Sequence, residues 1–304
     1  MTSISTWDFS TLYTTIPHAK LKAAINWVID EVMKLEKFSI MNCNTNRAFL
    51  SNEQQRGYVP LDSTKFKKLV SFLIDNIYIQ FGNVIMRQCV GIPMGTDCAP
   101  LLADLFLHFY EYKFIDKLKK DRGTKYFARI FNHTFRYIDD LLSINNKYFE
   151  DYISEIYPPE LELKETTESE NQASYLDVML SIKENALFYK LYDKRDDYEF
   201  DIINFPFLDS NIPAGPAYGV YISQLIRYSR ACLDYEDFKN RHIMLYIKLT
   251  SQGYTRKKLQ KCFTKFYRNY ELLISKYGRS IQCMFGDVVA VDDLYMGYWL
   301  VQRF

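Results

Sequence analysis

The segment FRYIDDLLSINN, residues 135–146, sets two adjacent aspartates inside a run that otherwise reads as strand. In a continuous strand neighbouring side chains point to opposite faces, so a buried pair would leave at least one carboxylate stranded in a core. The chain must therefore turn at Asp139 and Asp140, and the turn is either a plain polar hairpin or a site that needs carboxylates at a sheet end. The dipeptide alone does not choose. Asp196-Asp197 lies in the solvated stretch KRDDYEF, and Asp292-Asp293 in VAVDDLYMGYW has flanks as apolar as those of the first pair.

A chain of 304 residues with 48% hydrophobic and 16% aromatic residues can bury a sizeable core, as one large domain with a smaller one. The net charge of +1 singles out no partner, but its distribution is uneven. Residues 139–201 hold 17 acidic and 6 basic side chains, whereas residues 225–279 hold 13 basic and 4 acidic. Such asymmetry suggests one segment that handles cations and another that faces a polyanion. The six cysteines are scattered without a C-x-x-C pair, so neither a zinc site nor a disulfide framework is indicated. No uncharged apolar run is long enough to span a bilayer; PLLADLFLHFYEYKF is interrupted by Asp104 and Glu111. MTSISTWDFS lacks a basic start and an apolar core, so no signal peptide is expected. These features place the chain inside the cell, with the nucleus as one compartment, and away from membranes.

Along the chain, STWDFSTLYTTIP reads as a short β-rich segment ended by Pro17, followed by a helix over residues 18–37. Residues 42–62 read as a polar connection, and DSTKFKKLVSFLIDN as a helix. NIYIQFGNVIMRQCVGIP suggests a hairpin about Gly82-Asn83. After GIPMGTDCAP a long helix begins, with Pro100 in its first turn. FARIF and FRYIDDLLSI read as strands, NKYFEDYISEIY as a short helix, and LELKETTES and SYLDVMLSIKENALFYKLY as strands. NFPFLDSNIPAGPAYG, rich in Pro and Gly, is the expected domain boundary. Two helices are clear beyond it. The first carries an apolar stripe of Tyr221, Leu225, Tyr228 and Cys232; the second begins after an N-cap at Thr255. That second helix spaces Leu259, Phe263 and Phe266 on one face and crowds Arg256, Lys257, Lys258 and Lys261 on the remainder. His18, His108, His133 and His242 are dispersed and read as structural or surface residues.

Three pieces then stand in fixed order: WDFSTLYTT with Asp8 and Tyr13, GIPMGTDCAP with Gly91 and Gly95, and YIDD. A hairpin turn at Asp139-Asp140 would let a carboxylate reach out of the sheet end, and a strand ending near Asp8 would add another from the side. Clustered carboxylates repel one another unless a cation lies between them, and oxygen-only donors suit Mg²⁺ shared with water and phosphates. Two such ions could activate a 3′-hydroxyl and stabilise a leaving pyrophosphate.

The ordered set WDFSTLYTTIP, GIPMGTDCAPLLADLF, FRYIDDLL, LELKETT and SYLDVMLSI resembles the successive palm motifs of a reverse transcriptase, with wording similar to Penelope-like retroelements over about residues 7–280. The resemblance implies an α+β right-hand polymerase: an antiparallel palm sheet backed by helices, then an α-helical thumb, with the fingers largely missing. It divides the chain into a palm at 1–205 with a partial fingers insertion at about 18–90, a thumb-like region at 206–280, and an unassigned tail at 281–304. It implies an RNA-directed DNA polymerase using two Mg²⁺ or Mn²⁺ ions, an RNA or DNA template with primer, and deoxynucleoside triphosphates.

By the same resemblance Asp8 and Asp139 are the principal metal ligands, Asp140 is the supporting carboxylate, and the Phe9 carbonyl touches a metal. Tyr13 lies beneath the incoming sugar, Gly95 lets backbone approach template and nucleotide, and Lys164 protonates pyrophosphate, although a lysine among glutamates is also an ordinary surface pairing residue. Tyr175, Leu176 and Asp177 resemble a primer-gripping turn, with a packed hairpin as the alternative. Arg227, Arg230, Arg256, Lys257, Lys258 and Lys261 would contact phosphates, or else form a solvated helix face. A catalytically inactive nucleic-acid-binding remnant is the rival reading. A metal-dependent nuclease ranks last, since no His or Lys neighbours Asp8 in sequence.

Overall fold

The computed structural model describes residues 3–301 except 36, 37, 43, 44, 46, 122, 170 and 201; at 38, 39, 42 and 292–301 the backbone alone is described. The chain forms two compact units, Met1–Glu170 and Asn171–Phe304.

In the first unit, β1 (Ile4–Phe9) leads through the short helix α1 (Leu12–Thr15) into α2 (His18–Val32). Three strands follow, β2 (Phe38–Asn42), β3 (Arg47–Ser51) and β4 (Val59–Leu61), paired in the order β3-β2-β4. The stretch expected as a polar connection thus carries two of these strands, β3 and β4. Every described residue of Arg47–Leu50 is exposed, so no alternation of apolar and polar residues betrays the strand. Helix α3 (Ser63–Asp75) starts at an N-cap on Asp62, whose carboxylate accepts from the Lys65 amide at 2.8 Å. The expected hairpin is β5 (Tyr78–Phe81) and β6 (Val84–Arg87), turning at Gly82 with φ +59°. Helix α4 (Ala99–Lys120) carries Pro100 in its first turn. FARIF, expected as a strand, lies instead in a 3₁₀ helix, Phe127–His133. Then come β7 (Thr134–Tyr137), β8 (Asp140–Ile144), α5 (Phe149–Ile156) and β9 (Leu163–Glu165).

Strands β7-β8-β1-β9 form an antiparallel sheet. Trp7, Phe9 and Leu141 turn one face toward a core filled by Leu21, Ile25 and Ile29 of α2 and Ala103, Phe106 and Leu107 of α4. Trp7 packs on Phe149 with centroids 5.8 Å apart, and Phe9 meets Tyr157 edge-on at 4.9 Å. Alternation along β1 therefore turns Asp8 to the other face, away from the helices.

The second unit opens with a sheet of β10 (Gln172–Tyr175), β11 (Val178–Lys183) and β12 (Ala186–Leu191). Helices α6 (Ala214–Ala231), α7 (Tyr235–Ser251), α8 (Arg256–Asn269), α9 (Glu271–Ile274) and α10 (Ile281–Val301) follow. Leu191 joins a core of Tyr221, Leu225, Phe238, Tyr246, Phe263 and Phe266, and Val178 packs against it. That packing explains why the division falls after residue 170, before the expected boundary in NFPFLDSNIPAGPAYG. The tail expected as unassigned at 281–304 supplies α10 through its described residues 281–301, and Met284, Phe285, Val288 and Val289 are buried in the same core. Asp292-Asp293 lies in this helix, with side chains outside the described set. Thr255 holds the N-cap position of α8 without a side-chain capping bond; its hydroxyl lies 3.3 Å from that of Tyr218.

Candidate active site

The 135–146 segment resolves its two aspartates by turning between them. Tyr137 pairs with Asp140 across β7 and β8, leaving Ile138 and Asp139 as a two-residue loop. Ile138 takes φ +55°, a conformation that costs a β-branched residue about 1–3 kcal/mol. Asp139 thus projects from the sheet end and Asp140 is the first residue of β8. Both are half-buried, as is Asp8.

Register assembles the rest. Asp8 stands directly opposite Asp140 on one side and Lys164 on the other. Cross-strand partners share a face, so Tyr137, Asp140, Asp8 and Lys164 form one row across the open side of the sheet. The Phe9 amide donates to the Asp139 carbonyl at 3.2 Å, which ties the loop to the end of β1. Tyr13 is near enough to Asp139 for its charge to matter: burial, then Asp139, then Asp104 raise the phenol above its usual range. The Lys164 ammonium lies 3.5 Å from Glu162 on an exposed flank.

The GIPMG loop is fastened to the same corner. Ile92 donates its amide to the Tyr13 carbonyl at 2.7 Å, Gly91 donates to Ile16 at 2.8 Å, and the His18 ring contacts the Gly91 carbonyl at 2.8 Å. Gly91 has φ +80°, and a Cβ there would come within 2.4 Å of the Tyr13 carbonyl. The glycine this packing demands is Gly91; a Cβ on Gly95 would meet nothing within 4 Å.

Four residues not singled out as site residues from the sequence support the aspartate loop from behind. Arg136 points into the helical layer, its side chain only 9% exposed, and bonds Glu111 through Nε (2.6 Å) and Nη2 (3.1 Å). Its Nη1 donates to Asp104 at 2.7 Å and to the Ile138 carbonyl at 3.0 Å. Burial alone would lower its pKa, but the bonds to Glu111 and Asp104 outweigh that and hold the guanidinium charged. Tyr157 donates to Glu111 at 2.8 Å, and its phenol is raised by burial and then by that carboxylate. A sequence signal existed: Asp104 and Glu111, seven residues apart, share one face of α4 with Leu107, Phe114 and Leu118, and carboxylates along a core-facing stripe call for a cation partner.

In the second unit the Tyr175–Asp177 turn has the same form as the first, with Leu176 at φ +52°. Arg227, expected among the phosphate contacts, bonds Asp177 at 2.7 Å and Asp193 at 3.4 Å. Asp193 is pushed down to about 2, chiefly by its bond to Arg195 and then, against burial, by the charges around it. Arg230, Arg256, Lys257, Lys258 and Lys261 are exposed, and Lys258 lies 5.4 Å from the Tyr218 ring centre.

No protein-family model matches the chain, and no curated protein matches it. Among solved structures, telomerase from Candida albicans, captured with a TWJ fragment of telomeric RNA, superimposes with a TM-score of 0.53 over 94% of this chain and 48% of that one, at 10% identity. Telomerase is a reverse-transcriptase-type polymerase. The fold is of the reverse-transcriptase type. Its palm is the first-unit sheet backed by α2 and α4, and its thumb is helical. Apo telomerase from Candida tropicalis gives 12% identity over 95% of this chain, and its TM-score of 0.43 adds no weight. The chain spans about half the length of these telomerase chains.

Among the described residues no group of three or more His, Cys, Asp and Glu side chains is gathered closely enough to cage a metal ion. The donor chemistry nonetheless fits a shared ion. Asp8 and Asp140 are cross-strand partners, Asp139 is fixed beside them, and all three offer oxygen alone. Magnesium is commonly held by one or two carboxylates completed with water and substrate phosphate. No helix among the described residues is long and apolar enough to cross a membrane.

Proposed function

We propose that this chain is an RNA-directed DNA polymerase that adds deoxynucleotides to a primer 3′-hydroxyl, of the kind found in Penelope-like retroelements. The observation that carries the proposal is the pairing of Asp8 with Asp140 beside the Asp139 loop, within a fold of the reverse-transcriptase type. Asp8, Asp139 and Asp140 would hold the divalent ions, which when bound supply charge neutralisation to the attacking and leaving oxygens. Tyr13 bounds the nucleotide side of the carboxylates and would exclude a 2′-hydroxyl. Lys164, in register with Asp8, would donate a proton to the leaving pyrophosphate. Arg256, Lys257, Lys258 and Lys261 present a positive helix face to template and primer phosphates. Arg227 belongs to the Asp177 turn, which would position the primer end.

Primer extension on an RNA template with Mg²⁺ or Mn²⁺ tests the proposal. Incorporation that disappears in Asp139→Asn and in Asp8→Asn is expected. A chain that binds template and primer yet extends nothing would replace the polymerase with a non-catalytic nucleic-acid-binding relative.

A further inference from the structure

We infer that Arg136, held by Glu111 and Asp104, is a positioning residue that sets the cation affinity of the aspartate loop; this rests on reading that loop as a carboxylate site. Two successive loop carbonyls are held by fixed donors: that of Ile138 by the Arg136 guanidinium and that of Asp139 by the Phe9 amide. The Asp139 side chain leaves the backbone beside these two anchors. Its direction therefore follows from the anchors, not from freedom in the loop.

Packing does part of the job, since the Ile138 side chain rests partly buried against the first-unit core. A cavity of ≈ 150 Å³ lies behind the hairpin, lined in part by Arg136, Glu111, Leu141 and Tyr157. Ile138 is held at φ +55°, a conformation it would leave without restraint. Packing holds the Ile138 side chain but gives the loop carbonyls no direction; with strain in the backbone, the directional bonds decide where the carboxylates stand. The guanidinium suits this role because one planar fork reaches both helix carboxylates and the loop carbonyl at once. A lysine would keep the charge but cannot span the three acceptors. Arg136→Lys therefore separates geometry from electrostatics: neutralising the arginine would of itself strengthen a nearby cation site, whereas loosening the loop weakens it.

The full chain is titrated with Mn²⁺, free ion being followed by electron paramagnetic resonance, and amide hydrogen exchange is read over residues 137–141. Wild type, Asp139→Asn, Arg136→Lys and Glu111→Gln are compared, each checked for a cooperative melt. Expected are Mn²⁺ binding lost in Asp139→Asn, a Kd raised at least about fivefold in Arg136→Lys with faster loop exchange, and a smaller shift in the same direction in Glu111→Gln. Template–primer affinity should stay within about twofold, which a general loss of structure would not allow. A folded Arg136→Lys with Mn²⁺ affinity within about twofold of wild type overturns the inference, as does Mn²⁺ binding indifferent to Asp139. If Mn²⁺ binding follows Arg136 while no primer is ever extended, the inference stands and the polymerase proposal falls.

Discussion

The carbonyl oxygen of Tyr13 lies 2.4 Å from where a Cβ on Gly91 would stand, so the GIPMG loop and the turn bearing Tyr13 are in backbone contact. Their closeness is sealed by the Ile92 amide on that same carbonyl. Gly91→Ala should therefore both strain a φ of +80° and push the two segments apart. The expected loss of stability is about 2 kcal/mol or more. Denaturant unfolding measures it, and a variant as stable as wild type would contradict the contact.

His242 is completely buried beneath Phe263, with rings stacked at 5.0 Å, and its Nε2 lies 2.5 Å from the Tyr221 hydroxyl. Burial lowers its pKa to about 3, far below the ordinary value. Between these values the unfolded chain binds the extra proton, so stability rises with pH there and is lost as pH falls from about 6.5. The second unit should lose about 2 kcal/mol between pH 7 and pH 5 from this residue alone. Melts of wild type and His242→Gln at both pH values check this. Equal pH dependence in the two proteins would remove His242 as the cause.

Tyr13 sits where its phenol feels the charges of Asp139 and Asp104. If it bounds the sugar of an incoming nucleotide, Tyr13→Ala should relax discrimination against ribonucleotides by about tenfold or more. Single-nucleotide extension with each substrate supplies the ratio. Unchanged selectivity in an active variant would leave Tyr13 as a packing residue.

Helix α8 places Arg256, Lys257 and Lys258 in its first turn, the end at which the helix dipole disfavours cations. An alanine variant at these positions and Lys261 should melt no lower than wild type. Its nucleic-acid affinity should fall, with the slope of log K against log salt shallower by about 3. An unaltered slope would mean that phosphates do not meet this face.

The motif-bearing elements were legible because each is locally consistent. WDF alternates about Asp8, so Trp7 and Phe9 face the core and the carboxylate faces away. FRYIDDLLSI is apolar on both sides of a loop, which makes a hairpin the only outcome that spares the core a carboxylate. Local pattern failed where one residue type serves two structures. Residues 47–61 are too exposed to show a strand period, FARIF has the composition of a strand but winds into a 3₁₀ helix, and α7 runs its buried stripe through the polar His242. The 21-residue helix α10 falls in a segment left unassigned by the sequence because its burial partners, on α7 and α8, are remote in sequence.

By itself, the amino-acid sequence determined that carboxylates must leave the sheet at residue 139, that a long apolar helix follows GIPMGTDCAP, and that positive charge gathers on α8. Only tertiary structure decided that Asp8 meets Asp140 and Lys164, and that Arg136 reaches back from the strand to Asp104 and Glu111. Period and turn chemistry act over a few residues and are written locally. Strand register and a buried ion pair depend on which distant surfaces exclude water together, and no short segment carries that information.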